Sequence, residues 1–379
     1  MTPTVKDMVR LLGSLAPPGL AESWDNVGLQ VGDPRWPVEK VWVALDPLPE
    51  VVDAAVSGGV QLLITHHPLI FKPLSGIDVS EGTGRIISLS IRHQLAVLSA
   101  HTNLDSTDGG LNDIAAGMCD MIDLRPLVPA VADATVKLVV FVPEGSEEAV
   151  MTAIADTPAG RIGNYTGCSF RTPGTGTFTS GADARPFYGK PEETSHIAEY
   201  RLEVVMPRRH LEAVVARIQK AHPYETMAYD VYPLVPQSSS VGMGRVGRLK
   251  SAQRLRDYAQ TLRRRFTAGG VRFVGDPDLE VQTAAVCTGS GGSLLKEFFR
   301  SGADVFISGD IRYHDARSIE AAGKALIDLG HFSSEMIFAA PVAERLSSAA
   351  RQLGFDVTIT PCQMEKDPFR FLPTDRQPG

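Results

Sequence analysis

The amino-acid sequence predicts an α/β protein of two related lobes, interrupted by a smaller α+β domain. Three observations predict it. Short apolar runs alternate with stretches of helical period, and three of the runs stop at a histidine. A phrase from the first third of the chain is echoed in the last third. Between the two lies a repeat of its own, bracketed by near-identical proline phrases. At 379 residues the chain exceeds one ordinary core, so more than one domain is expected.

The elements follow in order. Val5, Met8, Val9 and Leu12 recur at helical spacing, and Pro17-Pro18-Gly19 stops that helix. Trp24-Asp25-Asn26-Val27-Gly28-Leu29 is a turn-rich entry into a short strand. Val41 to Asp46 reads as a buried strand. Residues 49–56 read as a helix closed by Gly58-Gly59, and the run Val60-Gln61-Leu62-Leu63-Ile64 leads into His66. A helix over 84–93 feeds Leu95-Ala96-Val97-Leu98, which ends before His101. This β-α-β-α-β order predicts a mostly parallel sheet, at whose carboxyl ends ligands collect. The stretch 106–113 is a loop into a helix; its N–H groups either cap the helix or hold an anion.

Pro126-Leu127-Val128-Pro129 and Pro233-Leu234-Val235-Pro236 bracket the inserted region, the second running into the linker-like Gln237-Ser238-Ser239-Ser240. Inside, Pro143, Glu148-Ala149-Val150 and Ile154 return 64 residues later as Pro207, Glu212-Ala213-Val214 and Ile218. Each copy is a strand followed by an amphipathic helix, which predicts a ferredoxin-like domain. It also carries a Gly/Thr-rich hairpin, Gly174-Thr175-Gly176-Thr177-Phe178-Thr179. His196, His210 and His222 have no carboxylates at ligand spacing and read as surface or packing residues. The expected division is 1–128 for the first lobe, 129–240 for the insert and 241–379 for the second lobe.

In the second lobe, residues 255–266 form a basic helix, read as a solvated face. Residues 281–287 are a strand, Thr288-Gly289-Ser290-Gly291-Gly292-Ser293 a glycine loop, and 294–300 a helix. Such a loop cradles phosphate in some folds, although this is no Walker sequence. Ala325-Leu326-Ile327 is the strand that runs into His331.

Hydrophobic residues make up 43% and charged residues 21%, the composition of a soluble globular protein, and net charge is 37 − 44 = −7. That acidity argues against a general nucleic-acid surface. Cys119, Cys168, Cys287 and Cys362 are scattered and read as isolated thiols in a reducing cytoplasm. No apolar run approaches the ~18 residues of a membrane span.

The chemistry gathers at three strand ends. Ile64-Thr65-His66-His67-Pro68, His101-Thr102-Asn103-Leu104-Asp105 and His331-Phe332-Ser333-Ser334-Glu335 each follow an apolar run. The last two share the pattern His-x-x-x-carboxylate. Ser57-Gly58-Gly59 before Leu62–His67 is echoed by Ser301-Gly302-Ala303 before 304–310. Two lobes that each present an imidazole and a carboxylate would face a common divalent-metal site, one that suits two ions bridged by a carboxylate. Any one of these histidines alone reads as a packing residue; together they are a poor accident. His314 is either substrate-facing or a helix cap, and His93 is structural.

These same segments, with Glu22-Ser23-Trp24-Asp25-Asn26-Val27-Gly28-Leu29 and Ser308-Gly309-Asp310-Ile311-Arg312-Tyr313-His314, resemble the Nif-three-like family, the GTP cyclohydrolase 1 type 2 homologues. The resemblance covers both outer segments, and the insert looks like the PII/CutA-like insertion of the longer members. It implies one Nif-three-like domain of two related lobes, a two-metal centre and a ring-shaped homohexamer. By position it implies His66, His67, Asp105, His331 and Glu335 as metal ligands, Glu335 bridging, with His101 close by.

The function this points to is a metal-dependent hydrolase. Two ions, drawn from Zn, Fe, Mn, Co or Ni, would share a hydroxide that attacks a small-molecule substrate such as GTP and opens its imidazole ring. His101 or His314 would shuttle the proton. Lys72, Arg312 and the Gly289–Gly292 stretch are candidates for phosphate charge. The competing reading is a non-catalytic regulatory or metal-delivery scaffold. A nucleic-acid binder rests only on the basic helix. The expected compartment is the cytoplasm.

Overall fold

The computed structural model describes residues 1–80, 82–130, 135–234 and 240–371. The first segment runs α1 (Val5–Leu15), β1 (Gly28–Val31), β2 (Lys40–Ala44), α2 (Pro49–Ser57), β3 (Leu62–Thr65), α3 (Gly82–Arg92), β4 (Ala96–Ser99), α4 (Thr102–Ser106), α5 (Leu111–Met118) and β5 (Met121–Pro129). The middle segment is β6 (Thr135–Pro143), α6 (Glu147–Ile154), β7 (Phe170–Thr179), β8 (Thr194–Pro207), α7 (Leu211–Ala221) and β9 (Tyr229–Pro233). The last segment opens with β10 (Gly242–Arg254), α8 (Leu255–Arg265), β11 (Arg272–Val274), β12 (Glu280–Ser290), α9 (Leu295–Ser301) and β13 (Val305–Gly309). It closes with α10 (Tyr313–Ala321), β14 (Ala325–Asp328), α11 (His331–Glu335), α12 (Ala339–Gln352) and β15 (Thr358–Pro361).

The chain divides into two compact units, Met1–Ala130 with Ser240–Gly379, and Val131–Ser239. In the first unit two sheets repeat one plan. β2, β3 and β4 run parallel with β1 antiparallel outside β4; β12, β13 and β14 run parallel with β11 antiparallel outside β14. The two central strands β3 and β4 are buried at every residue, as strands covered on both faces must be. α12 lays Val342, Ala343 and Leu346 against Val41, Val43, Ile64 and Leu98. α8 sets Tyr258 and Leu262 against Val286, Val305 and Ile307 of the other sheet.

The two lobes exchange strands, so they do not separate at residues 128 and 241. β15 from the last segment extends the first sheet beside β2, Ile359 opposite Val41. β5 from the first segment extends the second sheet beside β10, Val128 opposite Met243. Pro126 and Pro129, which by sequence bracket the inserted region, lie in β5, the edge strand of its sheet, opposite Arg245 and Gly242.

The exchange is locked by Arg245 of β10, whose side chain is 2% exposed. Its guanidinium donates to Asp113 (2.5 and 2.7 Å) and to the carbonyls of Gly242 (2.6 Å), Gly244 (2.8 Å) and Thr107 (2.9 Å). All five N–H groups are thereby used. The loop at 106–113 therefore grips an arginine through Asp113, and Gly110 N–H donates to Thr107 O (3.1 Å) as part of a local turn.

The second unit is β-α-β-β-α-β with all its strands antiparallel, in the order β7-β8-β6-β9. The 64-residue repeat is β6–α6 and β8–α7. The repeated strands pair at the centre, Leu138 opposite Val204, and the repeated helices bury Val150, Ile154, Val214 and Ile218 in one core. His222 is buried and its Nε2 lies 2.9 Å from Phe141 O, a packing role. The linker composition at 237–239 and the end of the second proline phrase lie outside the described residues.

Candidate metal centre

β3 ends at Thr65, and His66 and His67 follow at its carboxyl end, where Pro68 brings the strand to a close. β4 and β14 each run into a single helical turn, α4 and α11. His101 and Asp105, and likewise His331 and Glu335, are four residues apart on those turns, so each pair shares a face. The His-x-x-x-carboxylate pattern thus belongs to the turn after the strand.

Each of four imidazoles has its Nδ1 committed. Nδ1 of His67 lies 2.7 Å from Asp46 Oδ1, that of His101 2.9 Å from Asp25 Oδ1, and that of His331 2.8 Å from Asp310 Oδ2. His66 Nδ1 lies 3.0 Å from Ala100 O. Carboxylates and carbonyls only accept, so each Nδ1 carries the hydrogen and each Nε2 of a neutral ring presents its lone pair. Fixing the tautomer from behind is how proteins prepare imidazoles for metal.

The lone pairs meet carboxylate oxygens. His66 Nε2 lies 3.6 Å from Asp105 Oδ1 and 3.7 Å from Glu335 Oε1. Glu335 Oε2 lies 3.0 Å from His67 Nε2 and 2.9 Å from His331 Nε2. His66 Nε2, Asp105 Oδ1 and Glu335 Oε2 are buried and make no proper hydrogen bond among the described residues. Three orphaned acceptors aimed at one another cost free energy unless a cation lies between them. Two overlapping donor sets follow, His66 with His67 and His101, and His67 with His331 and Glu335. The residues present fit a metal.

Proton affinities point the same way. Burial works against charge on His67, yet the carboxylates of Asp46 and Glu335 on either side of its ring prevail and raise it to about 10. The Glu335 carboxylate close to its Nε2 raises His331 to about 9 against burial. Burial lifts Asp105 to about 7, while Glu335, also buried, is held well below the usual range by His331, His66 and His67. The cluster demands positive charge, from protons or from a cation in their place. Asp25 is held at about 2, its burial outweighed by hydrogen bonds from His101 and Thr102.

The structure brings His66, His67, His101, Asp105, His331 and Glu335 together. It does not bring His314, which lies exposed in the first turn of α10 with its ring against Tyr313. The glycine loop is no phosphate cradle: Gly289 N–H donates to Ser334 Oγ (2.9 Å) and Gly291 N–H to Ser308 Oγ (2.9 Å). Gly289, at φ +63°, instead makes room, since a side chain there would collide with Glu335 Oε1. Sequence reasoning missed Asp25, Asp46 and Asp310 as orienting groups, although Asp46 and Asp310 each follow the last residue or two of a buried strand. It also missed Glu365, which accepts the N–H groups of Leu45 (2.9 Å) and Asp46 (2.7 Å).

Two strand-exchanged α/β lobes around a histidine–carboxylate cluster define a class of α/β protein whose residues could hold a metal ion. More particularly, the profile of Duf34/NIF3 (NGG1p interacting factor 3) matches residues 3–368, and the chain belongs to that family. A Bacillus subtilis relative named GTP cyclohydrolase 1 type 2 homolog is 37% identical over 367 residues, covering 97% of this chain and 98% of its own. A Mycobacterium tuberculosis relative of the same name is 38% identical over 375 residues, covering 97% of each. The crystal structure of a Bacillus cereus protein related to NIF3 is 35% identical with a TM-score of 0.77, covering 98% of this chain and 99% of its own. Staphylococcus aureus protein SA1388, at 27% identity, reaches a TM-score of 0.84 and covers 98% of this chain and all of its own.

Proposed function

We propose that this chain is a dinuclear-metal hydrolase of the GTP cyclohydrolase 1 type 2 kind, holding its ions with His66, His67, Asp105, His331 and Glu335. The observation that carries the reading is the set of four imidazoles with Nδ1 spoken for, of which His66, His67 and His331 turn Nε2 toward buried carboxylate oxygens of Asp105 and Glu335. Two divalent ions there would supply an acidified water as nucleophile and positive charge for a developing oxyanion.

The chain's own residues have separate tasks. Glu335, whose oxygens face His66 on one side and His67 and His331 on the other, would help to hold both ions. His101, backed by Asp25, holds and returns the proton at Nε2. Trp24, 57% exposed, and Phe71, 47% exposed, stand edge-on to the His101 ring at 6.1 and 6.5 Å. They offer a planar substrate such as the guanine of GTP an aromatic wall.

The second unit reads as a ferredoxin-like, PII/CutA-like insert because its strand order and βαββαβ connectivity are those of that fold. We read the protein as a cytoplasmic homohexamer. Among the described residues no helix is long and apolar enough to cross a membrane. Leu74, Ile77 and Val79 are exposed beside Phe71, an apolar stretch of the kind that subunits cover.

The test is elemental analysis of protein purified without added metal, followed by turnover of GTP and a panel of hydrolase substrates. Two ions per chain and turnover abolished by His67→Ala or Glu335→Ala are expected. Tight metal with no turnover of any substrate would transfer the assignment to a metal-delivery or regulatory scaffold. A mass by light scattering other than six chains would remove the hexamer.

A further inference from the structure

The second unit contains a cavity of about 430 Å3 that the metal chemistry does not use. Its walls are aromatic: Phe141, Phe178, Phe187 and Tyr224 line it. Tyr224 is the hub, its ring centroid 6.3 Å from that of Phe178, 6.5 Å from Phe187 and 6.5 Å from Tyr188. The rings meet at interplanar angles of 62°, 48° and 85°, and Tyr224 and Phe187 also meet the rings of His222 and Tyr188 edge-on at 5.0 and 4.8 Å.

One carboxylate enters this box. Glu199 projects from β8 and accepts a hydrogen bond at Oε1 from the Tyr224 hydroxyl (2.8 Å). Burial and that carboxylate together raise the Tyr224 phenol, so the phenol keeps its hydrogen and remains the donor. Glu199 has no ion pair among the described residues, and its Oε2 has no hydrogen bond there. The carboxylate lies against Gly176 of the neighbouring strand β7, where any side chain would collide with it. The Gly174-Thr175-Gly176-Thr177 stretch, expected as a hairpin, is instead part of strand β7, and its glycine at 176 clears the space Glu199 occupies. The lining holds one cationic residue, Arg185, which is exposed and whose backbone N–H donates to Glu225 Oε2 (3.0 Å). With Glu199 and Glu225 against Arg185 the lining is net negative.

Aromatic walls and a carboxylate with no ion pair among the described residues attract the same partner, an organic cation whose charge sits on or beside carbon. We infer that this cavity is a binding site for a small organic ammonium group, seated against Phe178, Phe187 and Tyr224 and paired with Glu199. Such a group satisfies the carboxylate with charge and the rings with cation–π and apolar contact. A neutral molecule of the same shape satisfies only the rings.

Saturation-transfer NMR on the full-length chain tests this, with n-butylammonium and tetramethylammonium as probes and n-butanol as the neutral control. Saturable binding of both ammonium ions is expected, at least tenfold tighter than butanol. Glu199→Gln, which keeps size and fold, should weaken it at least tenfold. Phe187→Ala truncates a ring that is already 56% exposed and should weaken binding several-fold without unfolding. His331→Ala, which damages the metal centre, should leave it unchanged. The inference is overturned if neither ammonium saturates, if butanol binds equally, if Glu199→Gln and Phe187→Ala bind as the parent does, or if His331→Ala abolishes the signal.

Discussion

At Asp46 one oxygen decides which nitrogen of His67 carries a hydrogen, and therefore which one can hold a metal. Asp25 and Asp310 do the same for His101 and His331. These carboxylates need not touch an ion to control its affinity. Asp46→Asn and Asp310→Asn are expected to weaken metal binding about 10- to 100-fold, with the fold intact, as read by competition against a chromophoric chelator. Unchanged affinity in both would mean that the imidazoles are held by packing alone. Gly289 is the steric counterpart. A methyl group there displaces Glu335, so Gly289→Ala should lose metal at least as severely as either asparagine variant.

Two contacts at the scale of elements show how strands are pinned. Arg245 ties β10 to the loop before α5 with every donor used, in a place where water cannot replace it. Arg245→Met leaves Asp113 and three carbonyls without their donor, and should cost about 3–5 kcal/mol in urea unfolding. Asp304, at the start of β13, accepts from the N–H groups of Gln282 (3.0 Å) and Thr283 (2.8 Å) on β12 and from the Thr283 hydroxyl (2.8 Å). Burial works to raise its carboxyl, but these bonds and Lys324 hold it below the ordinary 3.8. A depressed carboxyl contributes stability that is present above its unfolded value and lost as pH falls through its folded one. Asp304→Asn should therefore cost about 1 kcal/mol at pH 7, the group being partly screened by water. The gap between variant and parent should close as the pH is taken below 3.8. A gap that persists in acid would assign the loss to packing.

Over the whole molecule, what could be read from sequence was whatever is local in the chain. β3, β4 and β14 are short apolar runs with a histidine just beyond, so their ends and the six clustered residues were legible. The repeat of β6–α6 in β8–α7 was legible because it is periodic. The orienting aspartates were hidden because Asp25 lies 76 residues from His101, and Asp310 lies 21 from His331. The strand exchange was hidden because the partners of β5 and β15 lie far along the chain, Val128 opposite Met243 and Ile359 opposite Val41. That exchange carries the last prediction. Pro129 pairs with Gly242, and Ala130 N–H donates to Val241 O at 2.9 Å, so the chain leaves and re-enters the first unit at adjacent points of one ladder. Every residue of the metal cluster, and every carboxylate behind it, lies within 1–130 or 240–371. Replacing 131–239 with an Asn-Gly turn, whose twist suits an antiparallel pair, should therefore leave a folded unit. It should keep the metal-to-chain ratio of the parent and lose the ammonium site. A truncated chain that melts without cooperativity or emerges free of metal would show that the second unit is needed to build the first.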